Sequence, residues 1–245
     1  MPVTSLEEYL ALRNSAANVE NLRKARQGNK RAKMSLLQIN YSGHYPDGRV
    51  RGCRLPAAAY VFDIDNVEDF ERVAPILIMD PDKYGLLMLE RSVSQGGHAV
   101  LRRTKGRTIL ECQVALAKEL RCEMDTNSHD INRVLFTTSA EAKDLLYVSS
   151  DLFADGYDEG AVAEEASLLA QREADGAEEV PKEAHSAKKH FKPWEAADDS
   201  QQPTANSQRP KSQQPPANNQ LLTSAIPPLL SRSVGREKRG GEISG

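Results

Sequence analysis

The apolar patterning that a core requires is confined to the first 153 residues of this 245-residue chain. From Ser5 to Phe153, apolar runs alternate with amphipathic segments, and the remainder is polar and repetitive. Hydrophobic residues make up 39% of the chain, below the globular share of roughly 45–50%, and the shortfall falls past Phe153. A segment such as Gln201–Asn219, rich in Gln, Pro, Asn and Ser, cannot bury enough apolar area to offset chain entropy. The chain therefore divides into an N-terminal helical segment (1–29), a folded domain (30–153) and a disordered acidic and Gln/Pro-rich tail (154–245).

Charge follows the same division. Met1–Phe153 carries 21 Lys and Arg against 20 Asp and Glu, whereas Ala154–His185 carries 2 against 10. Cys53, Cys112 and Cys122 are scattered and odd in number, which argues against a disulfide framework and for a reducing cytoplasm. No apolar run approaches the ~18 residues of a membrane span, and the N-terminus has no signal-peptide pattern, so the expectation is a soluble cytoplasmic protein without a membrane partner.

Within the domain, helical and strand patterns alternate. Leu6–Gln27 reads as helix with an interruption at Asn14–Ala17, and Arg23, Lys24, Arg26, Lys30, Arg31 and Lys33 cluster in its second half and the following turn. Leu36–Tyr41 reads as a short strand, and Ser42–Gly48 as a loop. Ala57–Asp65 has a buried-strand pattern ending in two aspartates. Asn66 is placed to cap a helix through Val73 and Ile76, which Asp80-Pro81-Asp82 ends. Strands follow at Gly85–Glu90 and Ala99–Arg103, a helix at Thr108–Leu120, and short strands at Val134–Thr138 and Leu145–Ser149. The alternation predicts an α/β or α+β sandwich with helices against a central sheet, and the fold class expected is α+β.

Three pieces carry potential chemistry. Asp63 and Asp65 are two apart on a strand, so their carboxylates share a face and can hold a divalent metal together with substrate phosphates. Ser92–His98 is a small-residue turn whose backbone can approach a ligand closely, with Ser94, Gly96 and Gly97 preceding His98 at a strand start. Asp125–Arg133 offers a third carboxylate, Asp130 or its competitor Asp125, with Arg133 three residues after Asp130. Such parts serve two-metal phosphoryl transfer. Arg102, Arg103, Lys105 and Arg107 are placed to follow a nucleic-acid backbone, or else form an exposed strand edge.

The order of these pieces resembles the archaeo-eukaryotic primase superfamily. Val61-Phe62-Asp63-Ile64-Asp65 looks like its hhDhD strand end, Ser94–His98 like its small-residue segment ending in His, and Asp130 with Arg133 like its third acidic motif. The closer similarity is to the primase-like N-terminal domain of virulence-protein-E-type proteins of mobile elements, with Lys33 in a similar lead-in and Asp144–Tyr147 as a similar closing strand. The resemblance covers about Lys30–Phe153. It implies an RRM-like primase/polymerase sheet flanked by helices, with Mg²⁺ or Mn²⁺ on Asp63, Asp65 and Asp130. It also implies nucleotide contacts from Ser94, Gly96, Gly97, His98 and Arg133, and nucleic-acid contacts from Lys33, Arg102, Arg103, Lys105 and Arg107. The partners implied are nucleoside triphosphates, single-stranded or primed nucleic acid, and a separate helicase, because the chain has no Walker A pattern. Two alternatives stand beside nucleotidyl transfer: a non-catalytic nucleic-acid-binding module on the same fold, and a haloacid-dehalogenase-like phosphatase with Asp63 as nucleophile.

Overall fold

A computed structural model describes residues 3–45, 56–153, 159–176, 180, 184 and 190–195. The chain runs through α1 (Leu6–Arg13), α2 (Ala16–Arg26), α3 (Lys30–Met34) and β1 (Gln38–Ile39). It continues with β2 (Ala59–Ile64), α4 (Val67–Met79), α5 (Pro81–Tyr84), β3 (Leu86–Arg91) and β4 (Gly97–Arg102). Next come α6 (Ile109–Leu120), β5 (Met124–Asp125), a 3-10 turn (Thr126–His129), β6 (Leu135–Phe136) and β7 (Leu145–Val148). A second 3-10 turn (Ser150–Phe153), α7 (Glu159–Ala174) and β8 (His190–Phe191) follow. The architecture is mixed helix and antiparallel sheet, as the sequence pattern predicts at that level.

The central sheet has the order β2-β4-β3-β7, with antiparallel neighbours throughout. β5 packs on the outer side of β2 and pairs with β8. β1 and β6 form a separate two-stranded ribbon. All six residues of β2 are buried, which is why the run from Ala59 to Ile64 shows no polar alternation until Asp63.

Helix ends are set by local chemistry. The Asn66 side chain accepts from the Asp69 backbone N–H at 3.0 Å, and Glu68 and Asp69 complement the positive end of α4. Thr108 and Glu111 form a reciprocal capping box at α6. Asn14, between α1 and α2, is the interruption expected in the first helical segment, and Ser15 caps α2.

One face of the sheet packs on α4 and α6 through Phe62, Ile64, Phe70, Leu77, Ala99 and Leu120. The fully buried Phe62 and Phe70 each contribute roughly 1.5–3 kcal/mol. The opposite face packs Val61, Leu87, Met88 and Val100 against Tyr9 of α1 and Tyr41. A register shift between Leu86 and Met88 lets the consecutive Leu87 and Met88 join the same layer.

Described residues on both sides of the boundaries expected at 29 and 153 pack into one core. The N-terminal helices are part of the core, with Tyr9 and Arg13 buried at 1% and 0% exposure. Residues beyond 153 also join it: Ala184 and Phe191 are buried in the same cluster as Phe62 and Phe70. α7 docks through Arg172, which pairs with Glu111 at 2.7 Å. Gln201–Asn219, where disorder is expected, the last residues of the expected Ser42–Gly48 loop, and Cys53 lie outside the described residues. No described helix is long and apolar enough to cross a membrane.

Candidate nucleotide and metal site

A strand projects side chains to alternate faces, so Val61 and Asp63 share one face of β2, and His98 and Val100 share one face of β4. Antiparallel register places Asp63 opposite His98, and His98 opposite Glu90 on β3. The three polar residues therefore form one cross-strand row at the end of the apolar layer. His98 Nδ1 lies 2.8 Å from Glu90 Oε1, and His98 Nε2 lies 3.8 Å from Asp63 Oδ1.

Asp65, one residue past the end of β2, lies on the same face as Asp63 and is exposed. The third carboxylate comes from Asp125, which is 3% exposed at the end of β5. A side chain from α6 sets its position. The fully buried Gln113 donates through Nε2 to Val61 O at 2.8 Å and to Ser128 Oγ at 2.9 Å. Ser128 Oγ in turn donates to Asp125 O at 2.6 Å. Gln113 thus ties the strand of Asp63 to the turn after Asp125. Asp125 Oδ1 accepts the Asn127 backbone N–H at 2.9 Å, and its Oδ2 lies 3.8 Å from Arg133 Nη2.

Lys33, Asp63, Asp65, Ser94, His98, Asp125 and Arg133 line one pocket of about 340 Å³, at the lower end of ligand-site volumes. Ser92 and Val93 complete the turn side, and Val134, Leu135 and Phe136 form an apolar wall. Lys33 reaches the pocket because Ala32 of α3, with Leu36 just beyond the helix, packs on Leu22 and Val93. Its ammonium also sits 5.9 Å from the centre of the Phe136 ring.

Burial pushes the Asp63 carboxyl above its ordinary range; Asp65 and Asp125 push the same way, and His98 and Arg133 oppose them. Burial alone would depress the His98 imidazolium, but the hydrogen bond to Glu90 and the charge of Asp63 hold its pKa above the usual value. Glu90 itself is penalised by burial, yet Arg13 and His98 hold it at about 2.

The pocket donors suit a hard cation. The carboxylates of Asp63, Asp65 and Asp125 offer only oxygen donors, which would suit Mg²⁺ or Mn²⁺. Among the described residues no group of three His, Cys, Asp or Glu side chains is placed to hold a metal ion by itself. An ion here would share its coordination with substrate oxygens, which is the usual manner for Mg²⁺.

Other expected site residues lie elsewhere. Asp130 is exposed, and its Oδ1 accepts the Asn132 backbone N–H at 2.9 Å, closing a local turn rather than lining the pocket. Gly96 and Gly97 are not in the pocket wall. A Cβ on Gly96 would strike the carbonyls of Ile64 and Asp65, and one on Gly97 would strike the Phe70 ring, so these glycines let the turn press against β2 and α4.

The basic run is engaged within the protein. Arg102 pairs with Asp151 at 2.7 Å, Arg103 with Glu165 at 2.6 Å, and Lys105 with Glu164 at 3.4 Å. Arg107 gives its carbonyl to Arg103 Nη1. Glu164 and Glu165 of the acidic α7 answer Lys105 and Arg103.

Two buried residues behind the pocket escape sequence reasoning. Glu90 reads as the end of an apolar strand; its one signal is a lone carboxylate two residues from Met88, on the face of the central layer. Arg13 has no signal, because its partner lies 77 positions away. Comparison with protein-family models, curated proteins and solved structures finds no match for this chain.

Proposed function

We propose that this pocket binds a nucleoside triphosphate with Mg²⁺ or Mn²⁺ and transfers its nucleotidyl group to the 3′-hydroxyl of a nucleic-acid strand. One observation carries the reading. Residues spread from position 33 to position 133, singled out by a resemblance to the archaeo-eukaryotic primase superfamily, line a single pocket. The order β2-α4-β3-β4-α6-β5, with β5 beside β2, also supports an RRM-like arrangement of the split β-α-β kind.

In this reading Asp63, Asp65 and Asp125 hold the divalent ions, and the third acid is Asp125 in place of Asp130. An ion held there would supply Lewis-acid stabilisation of the charge that develops in the transfer. Lys33, His98 and Arg133 surround the triphosphate with positive charge and stabilise the charge that builds on the leaving pyrophosphate. The 3′-oxygen attacks the α-phosphorus, the bond from that phosphorus to the bridging oxygen breaks, and the hydroxyl proton passes to water or to a pocket carboxylate. Val134, Leu135 and Phe136 provide the apolar wall on which the sugar and base rest. Opening of duplex template falls to a separate helicase.

The test is nucleotide incorporation by the full chain on primed and unprimed single-stranded templates with Mg²⁺ or Mn²⁺, beside Asp63→Asn and Asp65→Asn. Metal-dependent products that both substitutions abolish are expected. Template binding without products, unchanged by both substitutions, would instead leave a non-catalytic binding module.

A further inference from the structure

Behind the pocket lies a set of charges that no substrate can touch. Glu90 and Arg13 are both 0% exposed, and neither lines the pocket. The two oxygens of Glu90 divide their work. Oε1 faces His98 Nδ1 at 2.8 Å. Oε2 accepts from Arg13 Nη2, from Thr138 Oγ1 at 3.1 Å and from the Thr138 backbone N–H at 3.3 Å. Arg13 is held in turn: Nη1 donates to Tyr9 Oη at 2.6 Å, and Nη2 also donates to Ser139 O at 3.3 Å. Tyr9 and Tyr41 join hydroxyls at 2.8 Å.

Stability alone is a poor reason for this arrangement. A buried ion pair is often no more stabilising than apolar residues of the same volume, because desolvation consumes the Coulombic gain. What it does supply is direction. With Nδ1 committed to a carboxylate that cannot move, the imidazole has one orientation, and its Nε2 edge faces the pocket beside Asp63.

We infer that Glu90, clamped by Arg13 of the N-terminal helix, is the positioning residue of His98 and aims its Nε2–H at a phosphate oxygen of the bound nucleoside triphosphate. The inference rests on the nucleotide reading of the pocket. It makes α1, which lies outside the stretch that resembles primase domains, a working part of the site. The arrangement is the phosphate-binding counterpart of a metal-bound histidine whose far nitrogen is fixed by a carboxylate, where loss of the outer partner costs roughly 10–100-fold in affinity.

The test is the dissociation constant of a non-hydrolysable nucleoside triphosphate with Mn²⁺, measured by calorimetry on the full chain. Four proteins are compared: wild type, His98→Ala, Arg13→Met/Glu90→Met, and the triple variant. Removing both buried charges avoids stranding either one, so the double variant is the one expected to keep the fold. His98→Ala and the double variant should each weaken binding roughly tenfold or more, and the triple variant should be no weaker than His98→Ala alone. Such non-additivity is not produced by a general structural defect.

Wild-type affinity in the double variant, with weakened binding in His98→Ala, would overturn the positioning role and leave the nucleotide site standing. Independent, additive losses would overturn it as well. No triphosphate binding by the wild type would overturn the nucleotide reading and this inference together. Should the double variant not fold, ¹⁵N spectra of the wild-type imidazole decide. A triphosphate-induced shift at His98 Nε2, with Nδ1–H still hydrogen-bonded, is expected, and an unperturbed Nε2 would refute the inference.

Discussion

Removing Arg13 should destabilise the protein far more than the loss of a surface ion pair would. Its guanidinium has no solvent exposure and faces the equally buried Glu90. Arg13→Met removes the hydrogen bonds to Tyr9, Thr138, Ser139 and Glu90. It leaves a buried carboxylate with only His98 and Thr138 as partners. Breaking one half of a buried pair costs about 3–5 kcal/mol, against about 0–1 kcal/mol for an exposed pair. At roughly 2–4 °C per kcal/mol for a domain of this size, the melting temperature should fall by about 6–20 °C. Thermal unfolding followed by circular dichroism at neutral pH reads this directly. Arg13→Met/Glu90→Met should recover most of the loss, because neither charge is then stranded. A single variant that loses under about 1 kcal/mol, or a double variant that loses the sum of the two singles, would refute the account of the pair.

Further outcomes follow from other contacts. Glu90 has its folded pKa lowered from 4.5 to about 2, so its contribution is complete above about pH 4.5 and is lost as pH falls towards 2. Acid titration should show wild type losing stability in that window more steeply than Arg13→Met/Glu90→Met. Gly97→Ala places a methyl group in the Phe70 ring and should cost about 1–3 kcal/mol by overpacking, measured by urea unfolding. Cutting the chain after Phe153 removes Phe191 and the Arg172–Glu111 pair. The fragment should lose at least the roughly 1.5–3 kcal/mol of burying one large side chain, and an equal midpoint in denaturant would show that the C-terminal segment is dispensable.

Much of the sheet is written in short-range pattern. β2 announces itself as an apolar run closed by Asp63 and Asp65, and Asn66 and Thr108 mark helix starts through side-chain caps that act within three residues. Asp63, Asp65, Ser94 and His98 are equally legible, because strand alternation and the glycine turn dictate where they point, whereas Lys33 is singled out only by the family resemblance. The third acid was not. Asp130 directly precedes the apolar Ile131 whereas Asp125 precedes Thr126, and what brings Asp125 to the pocket is the tie from Gln113 to Val61 and Ser128, a contact between α6 and β2 that no local spacing encodes.

Long-range partners explain the other differences. Arg103 and Lys105 look like free cations until α7 brings Glu165 and Glu164 to them. The acidic, Ala-rich stretch past Phe153 has too few apolar residues to signal a core segment, and its anchors in that core are Ala184 and Phe191. Arg13 and Glu90 meet across 77 positions, so Arg13 alone reads as an ordinary helix-surface charge and Glu90 as the end of a strand.

The central claim meets its most direct test in two substitutions five positions apart. Asp125 lines the pocket and Asp130 does not. Nucleotide incorporation by the full chain, with Mn²⁺ on a primed single-stranded template, should therefore be abolished by Asp125→Asn and retained by Asp130→Asn. Activity that survives Asp125→Asn and disappears with Asp130→Asn would contradict the account of the site.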